Sequence, residues 1–314
     1  RVEYAFPAPG GMFMKALRVG VTRPLGDDAI ESALLAAVQA DVAILFVGQN
    51  GEWDTEGRDR PHIDLVGRQN ELIERVAAAN PNTVVVVQSG GPVRMPWLDR
   101  VAAVLQAWYP GQECGNAIAD VLTGRVNPSG RLPQTFPLRL EDNPAYVNYP
   151  GENGHVLYGE GIFVGYRYYD KKNVAPLFPF GHGLSYTTFA WDNLRLSSDT
   201  LAPGETLTVS IDVTNTGGRA GAEVVQLYVG DPQAALARPE KELKGFAKVM
   251  LAPGERRTVS LPLDMRALAY YDDAKTAWVA EAGAFEVLVG ASSADIRARA
   301  QFTLAAGWTE ATGR

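Results

Sequence analysis

Residues 83–93 read TVVVVQSGGPV, and residues 41–48 read DVAILFVG. Each is a short apolar run closed by glycine or polar residues, the pattern typical of a strand buried on both faces of a sheet. A third run, VAAVLQAWYPGQ at 101–112, has the same character. Apolar residues at helical spacing in 27–40 and 64–80 predict helices before and between these strands. Alternating buried strands and helices predict a mainly parallel sheet with flanking helices.

A loop follows each of the three predicted strands. These loops are GQNGEWDTEGRDR at 48–60, QSGGPV at 88–93 and YPGQE at 109–113. The carboxyl ends of parallel strands lie at one edge of the sheet, where ligands bind in open α/β folds. A helix closed by Gly124 is expected after the third loop. The sequence therefore predicts a site where the three loops meet.

The C-terminal part has a different pattern. From about residue 191, short alternating runs such as LTVSIDVTN and AFEVLVG are separated by turn sequences, among them APGE at 202–205 and 252–255. Roughly seven such strands over about 115 residues predict an all-β sandwich of the immunoglobulin type. A segment rich in proline, glycine and aromatic residues precedes them, with little periodicity.

Four parts are expected on this basis. They are the tail of a preceding or inserted β domain at 1–26, an α/β sandwich domain at 27–135, an irregular wrap and domain junction at 136–190, and a β-sandwich at 191–314. The chain starts RVEYAFPAPGG, without Met or a signal-like apolar segment. We therefore expect a fragment or a processed chain, and draw nothing about location from the missing signal.

Composition excludes several classes of protein. The 314 residues carry 29 Lys and Arg against 36 Asp and Glu, a net charge of −7, which gives no electrostatic reason to bind nucleic acid or an anionic membrane. No apolar run reaches the roughly 18 residues that cross a bilayer. A single cysteine, Cys114, and three scattered histidines predict no metal site, and we expect no cofactor.

The first loop concentrates chemistry-bearing side chains. NGEWDTEGRDR at 50–60 holds the acidic residues Glu52, Asp54, Glu56 and Asp59 beside Trp53, Arg58 and Arg60. Taken alone, such a run is most often a solvated acidic loop. Its position directly after a buried strand, and the motifs that accompany it along the chain, favour a functional role.

The motifs match a known family in order. GQNGEWDTEGRDRPHIDL at 48–65 resembles the acid/base loop of glycoside hydrolase family 3 β-glucosidases, usually of the form WESEGxDR. Further similar stretches follow in family order, and the terminal sandwich resembles the family's fibronectin type III-like domain. These stretches are QSGGPVRMPW (88–97), AWYPGQECGNAIADVLTGRVNPSGRLPQTFP (107–137), YGEGIFVGYRYYD (158–170) and PLFPFGHGLSYTTF (176–189).

The resemblance implies an enzyme of three parts. These are a (β/α)8 barrel that carries the nucleophilic aspartate in an SDW-like motif, an α/β sandwich domain and the fibronectin-like domain. This chain has no SDW and no stretch long enough for a barrel of about 250 residues, so it resembles the C-terminal portion. Residues 1–20 resemble the closing strands of a protective-antigen-like insert found in some members.

The resemblance also implies catalytic roles for residues of this loop. Retaining hydrolysis needs a nucleophile and a proton donor. Residue-by-residue comparison gives Glu56 the role of general acid/base, with Asp54, where the family more often has Glu, as runner-up. If residues 54–56 are extended, both side chains point to the same side, and geometry alone does not separate them.

Other residues of the loop receive supporting roles. Asp59 and Arg60 are expected to pair within the loop or to brace it, although a solvated ion pair is an equal alternative. Trp53 is expected to stack on a sugar, with a packed loop anchor as the alternative. Outside the loop, His182 is expected to be a junction residue, with Phe178, Phe180 and Tyr186 buried between domains.

The predicted function is the acid/base half of a retaining, exo-acting β-glucosidase that removes non-reducing-end β-D-glucosyl residues. Its expected partners are a β-glucoside or oligosaccharide and a barrel domain from the same or an associated polypeptide, and a second copy of the chain is a further candidate. The alternatives are a non-catalytic carbohydrate-binding or stabilising module, and a β-xylosidase-type member. The expected location is the periplasm or the outside of the cell, with the cytoplasm as the alternative.

Overall fold

A computed structural model describes residues 28–57 and 59–312 of the chain. The predicted β-domain tail at 1–26, and with it the resemblance of residues 1–20 to an insert domain, lies outside the described residues. The predicted boundaries at 135 and 190 stay predictions.

The first part is a parallel sheet with helices. Its strands run in the order β1-β2-β3. All pairs are parallel, as the sequence predicts. The elements, in chain order, are α1 (Ala29–Gln39), β1 (Ala43–Gly48), α2 (Gln69–Ala79), β2 (Thr83–Gln88), β3 (Ala103–Gln106) and α3 (Cys114–Leu122). The predicted C-terminus of α3 is confirmed, since Gly124 takes a left-handed φ of +72° and its N–H donates to the Val121 carbonyl.

The central strand explains why this sheet forms. Val85, Val86 and Val87 of β2 are fully buried, so both faces of β2 are covered. On one face, Val85 and Val87 pack with Trp97 and Phe136 in a single apolar cluster. At about 25 cal/mol per Å² of buried apolar surface, such a run favours the interior of a sheet over every exposed conformation.

The prediction that residues 41–48 are buried on both faces is wrong for β1. Ile44 and Phe46 are 45% and 59% exposed. The strand lies at the edge of the sheet, and α1 and α2 pack only on the face that carries Ala43 and Leu45. The described residues cover the opposite face at this edge only in part.

The segment between the two folded parts is mostly irregular, with one helix that the sequence analysis missed. Besides a short 3₁₀ turn at Leu140–Asp142, it forms α4 at Tyr166–Lys172, closed by Asn173 in the left-handed conformation. Three tyrosines in YRYYDKK hide the helical periodicity. The predicted burial of Tyr186 is also wrong, since its ring is 44% exposed while its hydroxyl donates to the Val121 carbonyl.

The C-terminal part is the predicted all-β sandwich. A sheet in the order β5-β13-β12-β7-β8 faces one in the order β4-β6-β9, and a third small sheet, β10-β11-β14, lies beside them. The strands are β4 (Phe189–Leu196), β5 (Thr200–Leu201), β6 (Leu207–Asn215), β7 (Gly221–Gly230), β8 (Glu242–Leu251), β9 (Arg256–Leu263), β10 (Tyr270–Asp272), β11 (Ala277–Ala280), β12 (Gly283–Gly290), β13 (Ile296–Leu304) and β14 (Trp308–Ala311). A four-residue helix, α5 (Met265–Leu268), precedes β10. Alternate residues of both main sheets fill one apolar core.

The junction between the parts is specific. Tyr166 of α4 stacks on Phe180 at 5.1 Å and meets Tyr228 of β7 edge-on at 5.8 Å. A buried ion pair joins Arg131 to Glu223, also on β7, at 2.5 Å. These contacts fix the irregular segment, and the loops that it supports, against the sandwich.

Candidate active site

The three loops meet at the carboxyl edge of the parallel sheet. The Gln49 N–H donates to the Gln88 carbonyl at 2.8 Å, and the Ala107 N–H donates to the Val87 carbonyl at 2.8 Å. The backbone pairing thus continues past the last residues of β1 and β3. It places the loop at 49–60 beside Gly90 and beside the loop that begins after Ala107.

The loop at 49–60, called the acid loop below, has a defined start. The Asn50 carbonyl accepts the N–H groups of Trp53 and Asp54 at 3.0 and 2.9 Å, and the Asn50 side-chain oxygen accepts the N–H of Glu52 at 3.0 Å. At the end of β1, Gln69 of α2 bonds both the N–H and the carbonyl of Gly48 at 2.7 and 2.9 Å. The sheet and α2 together fix where the acid loop begins.

Asp54 is held by groups from the other two loops. Its Oδ2 accepts the Gly90 N–H at 3.0 Å and the Tyr109 hydroxyl at 2.9 Å. Burial, and then the hydrogen bond to Asp54, raise the pKa of Tyr109 above its ordinary value, so the phenol stays a donor. Two donors on one oxygen fix the orientation of the carboxylate. Asp54 therefore joins the ends of β1, β2 and β3.

Glu56, two residues later, has different surroundings. Its side chain is exposed. No hydrogen bond or ion pair joins its carboxylate to any residue within 28–57 or 59–312. The structure thus gives Asp54 and Glu56 different surroundings, although an extended strand would point both side chains to the same side. Asp54 is anchored, and Glu56 is open to solvent.

Asp59 and Arg60 bond to different partners. Asp59 accepts a hydrogen bond from the Tyr149 hydroxyl, which raises the pKa of that phenol. The Arg60 guanidinium donates from Nη1 to Gln49 Oε1 at 2.8 Å. Asp59 thus ties the acid loop to the segment that carries Tyr149, whereas Arg60 joins the end of the acid loop to its start at Gln49. The supporting roles expected for Asp59 and Arg60 stay predictions.

Trp53 is partly buried beside His62. Their ring centroids lie 5.0 Å apart with the planes tilted by 42°. One part of the indole therefore packs against the loop that follows Arg60. Both roles expected for Trp53, loop anchor and sugar contact, stay predictions.

Sequence reasoning missed two tyrosines. Tyr109 follows Trp108, whose left-handed backbone at φ +56° ends the extended chain after β3. The position of Tyr109 at a strand end was a usable signal. Tyr149 lies 90 residues from Asp59 in the chain, and no sequence signal indicated their contact.

The described part of the chain contains no group of three or more His, Cys, Asp or Glu side chains that could hold a metal ion. No helix in that part is both long and apolar enough to cross a membrane.

The chain is similar in sequence to proteins of a known family. Residues 6–166 match the family model for the glycosyl hydrolase family 3 C-terminal domain, a match over just more than half of the chain. The chain belongs to glycoside hydrolase family 3. Residues 223–293 of this family 3 chain also match the fibronectin type III-like domain. The predicted family and fold are therefore confirmed.

Two relatives show the extent of the similarity. A β-glucosidase from Rhizobium radiobacter is 55% identical over 303 residues, which are 95% of this chain and 37% of that protein. A probable β-glucosidase I from Aspergillus terreus is 52% identical, over 92% of this chain and 35% of that protein. The chain thus spans about a third of the length of the relatives that it matches.

Two solved structures are similar to this chain in fold as well as in sequence. β-Glucosidase from Kluyveromyces marxianus in complex with glucose superimposes with a TM-score of 0.87 at 47% identity, covering 93% of this chain and 35% of that one. β-Glucosidase 3B from Thermotoga neapolitana, solved with glucose, has a TM-score of 0.84 at 38% identity, with coverages of 94% and 42%.

Proposed function

We propose that this chain is the acid/base-bearing part of a retaining, exo-acting β-glucosidase, and that Glu56 is the general acid/base. The observation that carries the proposal is the contrast between the anchored Asp54 and the open Glu56 on one loop. A general acid must present its proton to the departing oxygen, so its carboxyl needs free access to the substrate.

Asp54 is poorly suited to this role. Its Oδ2 already accepts two hydrogen bonds, from the Gly90 N–H and the Tyr109 hydroxyl, so this oxygen is turned towards the other two loops and away from a substrate. We assign Asp54 to positioning the acid loop. Glu56, without such donors among the described residues, can take and release a proton against a substrate held in front of the loop.

The proposal includes a second carboxylate from outside this chain. A retaining site needs a nucleophile about 5–5.5 Å from the acid/base. The family resemblance assigns it to an aspartate on a (β/α)8 barrel. In the full polypeptide that barrel would face the acid loop, with the −1 sugar between them.

The substrate class rests on the relatives. Those described above are named β-glucosidases, and two of the solved structures contain glucose. This supports a β-glucoside over the β-xyloside alternative. The predicted location in the periplasm or outside the cell stays a prediction.

The test uses the full-length polypeptide that contains the barrel. Glu56→Gln is assayed on an alkyl β-glucoside, whose leaving group needs a proton, and on the 2,4-dinitrophenyl glucoside, which leaves without one. We expect kcat/KM to fall about 10²–10⁴-fold on the first substrate and to change little on the second. In Glu56→Gln, we also expect the alkaline limb of the kcat/KM–pH profile to disappear, because the general acid has been replaced.

Asp54→Asn is the matched variant. It should lower the plateau of kcat/KM and keep the alkaline limb, because Glu56 is still present to titrate. The reverse pattern, with the limb lost in Asp54→Asn and kept in Glu56→Gln, would move the acid/base role to Asp54. Wild-type turnover of the alkyl glucoside by both variants would favour the non-catalytic module.

A further inference from the structure

A cavity of about 240 Å³ lies where the irregular segment meets the sandwich. Its wall contains residues of α4 and of the chain that follows α4, Glu240 just before β8, and Ser293 in the turn between β12 and β13. We call it the junction cavity. No described residue of the acid loop belongs to its lining, so what it binds is a separate question from the role of Glu56.

Three buried residues bring hydroxyl groups to this wall. Ser293, Tyr169 and Thr135 are 3%, 6% and 8% exposed, and all three line the cavity. Within the part of the chain that the structure describes, none of the three hydroxyls has a hydrogen-bond partner. Buried hydroxyls are normally hydrogen-bonded, because an unpaired one has lost its bonds to water. Three such groups around one cavity indicate a binding site for a polar molecule.

Two carboxylates at the same cavity provide acceptors. Asp170 and Glu240 both line it. The Lys241 ammonium donates to Asp170 Oδ2 at 2.6 Å, and no further hydrogen bond from a described residue reaches Asp170 Oδ1 or the Glu240 carboxylate. The cavity thus offers both hydroxyl donors and carboxylate acceptors to a ligand.

These groups select the ligand by its charge. The two carboxylates repel an anion. A metal ion gains little, because the Lys241 ammonium already neutralises Asp170 and the Glu240 side chain is exposed. An apolar ligand would leave the hydroxyls unpaired. A neutral polyhydroxy molecule bonds to both kinds of group, and its C–H groups can pack on the apolar part of the lining, which includes Tyr166 and Pro179.

The size of the cavity narrows the class further. At roughly 30 Å³ per water molecule, its volume corresponds to about eight waters. That volume accommodates a single sugar ring. We infer that the junction cavity binds a neutral monosaccharide through the hydroxyls of Tyr169 and Ser293 and the carboxylates of Asp170 and Glu240. The choice of glucose as this sugar rests on the proposed function, of which glucose is the product.

A sugar bound here would contact both sides of the junction. Tyr169 and Asp170 belong to α4, whereas Glu240 and Ser293 belong to connections of the sandwich. A ligand that binds only the folded arrangement stabilises that arrangement. Glucose is therefore expected to hold the irregular segment more firmly against the sandwich.

The test is hydrogen–deuterium exchange of the full-length polypeptide with and without glucose, read by mass spectrometry. We expect glucose to slow exchange several-fold in the peptides that cover residues 169–176 and 290–295, with the same half-saturating concentration for both. Glycerol at equal molarity is the comparison and should slow exchange less. Equal protection by glycerol would overturn the assignment to a sugar.

Two variants connect this protection to the unpaired hydroxyls. Tyr169→Phe and Ser293→Ala each remove a hydroxyl that has no partner in the described chain, so the folded protein should keep its stability. Each should raise the half-saturating glucose concentration about tenfold, the effect of losing one hydrogen bond to the ligand. Tyr168→Phe is the matched control and should behave as the parent, because Tyr168 does not line the cavity.

Two results would contradict the site. One is unchanged exchange at 169–176 and 290–295 in the parent with glucose. The other is protection that both hydroxyl variants retain in full, because that protection would come from glucose bound elsewhere. A wrong role for Glu56 is detected separately, in the kinetics of Glu56→Gln, and leaves the protection at the junction cavity unchanged.

Discussion

The Tyr109 hydroxyl lies 2.9 Å from Asp54 Oδ2, and this hydrogen bond joins two loops that are 55 residues apart in the chain. The Gly90 N–H completes the arrangement at 3.0 Å. Three strand ends of the parallel sheet are thereby tied to one carboxylate. The position of Glu56 depends on this arrangement, since the two acidic residues are separated only by Thr55.

Tyr109→Phe removes one of the two donors to Asp54. We expect kcat/KM of the full-length enzyme on an alkyl glucoside to fall roughly tenfold, the effect of losing one hydrogen bond to a charged group. The alkaline limb of the pH profile should remain, because the titrating Glu56 is unchanged. Tyr271→Phe, a similarly exposed tyrosine on the sandwich, is the control and should keep full activity. Wild-type kinetics in Tyr109→Phe would show that Asp54 does not need this donor.

Gly90→Ala tests how closely the backbone at Gly90 packs against the Asp54 carboxylate. A Cβ at this position would lie 2.5 Å from Asp54 Oδ2 and 3.0 Å from Tyr109 Cε2, so the carboxylate has to move. We expect a loss of kcat/KM at least as large as that of Tyr109→Phe. In Gly115→Ala, on α3, the new methyl group meets no atom within 4 Å. The free energy of unfolding of this control should equal that of the parent or exceed it by up to about 1 kcal/mol. Equal behaviour of the two variants would contradict the packing around Asp54.

Glu223→Ala tests the junction. Arg131 and Glu223 are 9% and 8% exposed, and truncation of the acid leaves a buried guanidinium without its counter-ion. The expected loss is about 3–5 kcal/mol in the free energy of unfolding, measured by denaturant titration. Replacing both residues by apolar ones of similar size should recover much of it. Glu71→Ala breaks an exposed ion pair with Arg68 and serves as the comparison, which should scarcely change the transition.

His182 should make stability depend on pH in the acid range. Burial, and then the charge of Arg131, lower the pKa of His182 below its ordinary 6.5, and the ring stacks on Phe178 at 5.1 Å. Below about pH 6.5 the unfolded chain binds a proton that the folded protein does not, so the free energy of unfolding falls as the pH falls. His182→Gln lacks this group and should lose less Tm than the parent between about pH 7 and pH 5. Parallel Tm curves for the two proteins would rule out a lowered pKa of His182 in the folded protein.

Regular elements with strong local patterns were predictable. The four valines of β2, the α3 sequence closed by Gly124 and the alternating runs of the sandwich each have one favourable conformation, because burial of their apolar residues dominates the local free energy. The helix α4 was missed because YRYYDKK has no apolar stripe. Its Tyr169 is buried by tertiary packing.

The sequence by itself determined the class of each part, the order of the parts and the loop that contains Glu56, since these depend on periodicity and on motifs contiguous in the chain. Only the tertiary structure decided which carboxylate is anchored. Asp54 meets Gly90 and Tyr109, and Asp59 meets Tyr149, across separations of 36 to 90 residues. Contacts at such separations are set by sheet register and by packing of the irregular segment, neither of which leaves a local signal. The exposure of one face of β1 was unpredictable for a related reason. An apolar run does not show whether its strand lies at the centre or at the edge of a sheet.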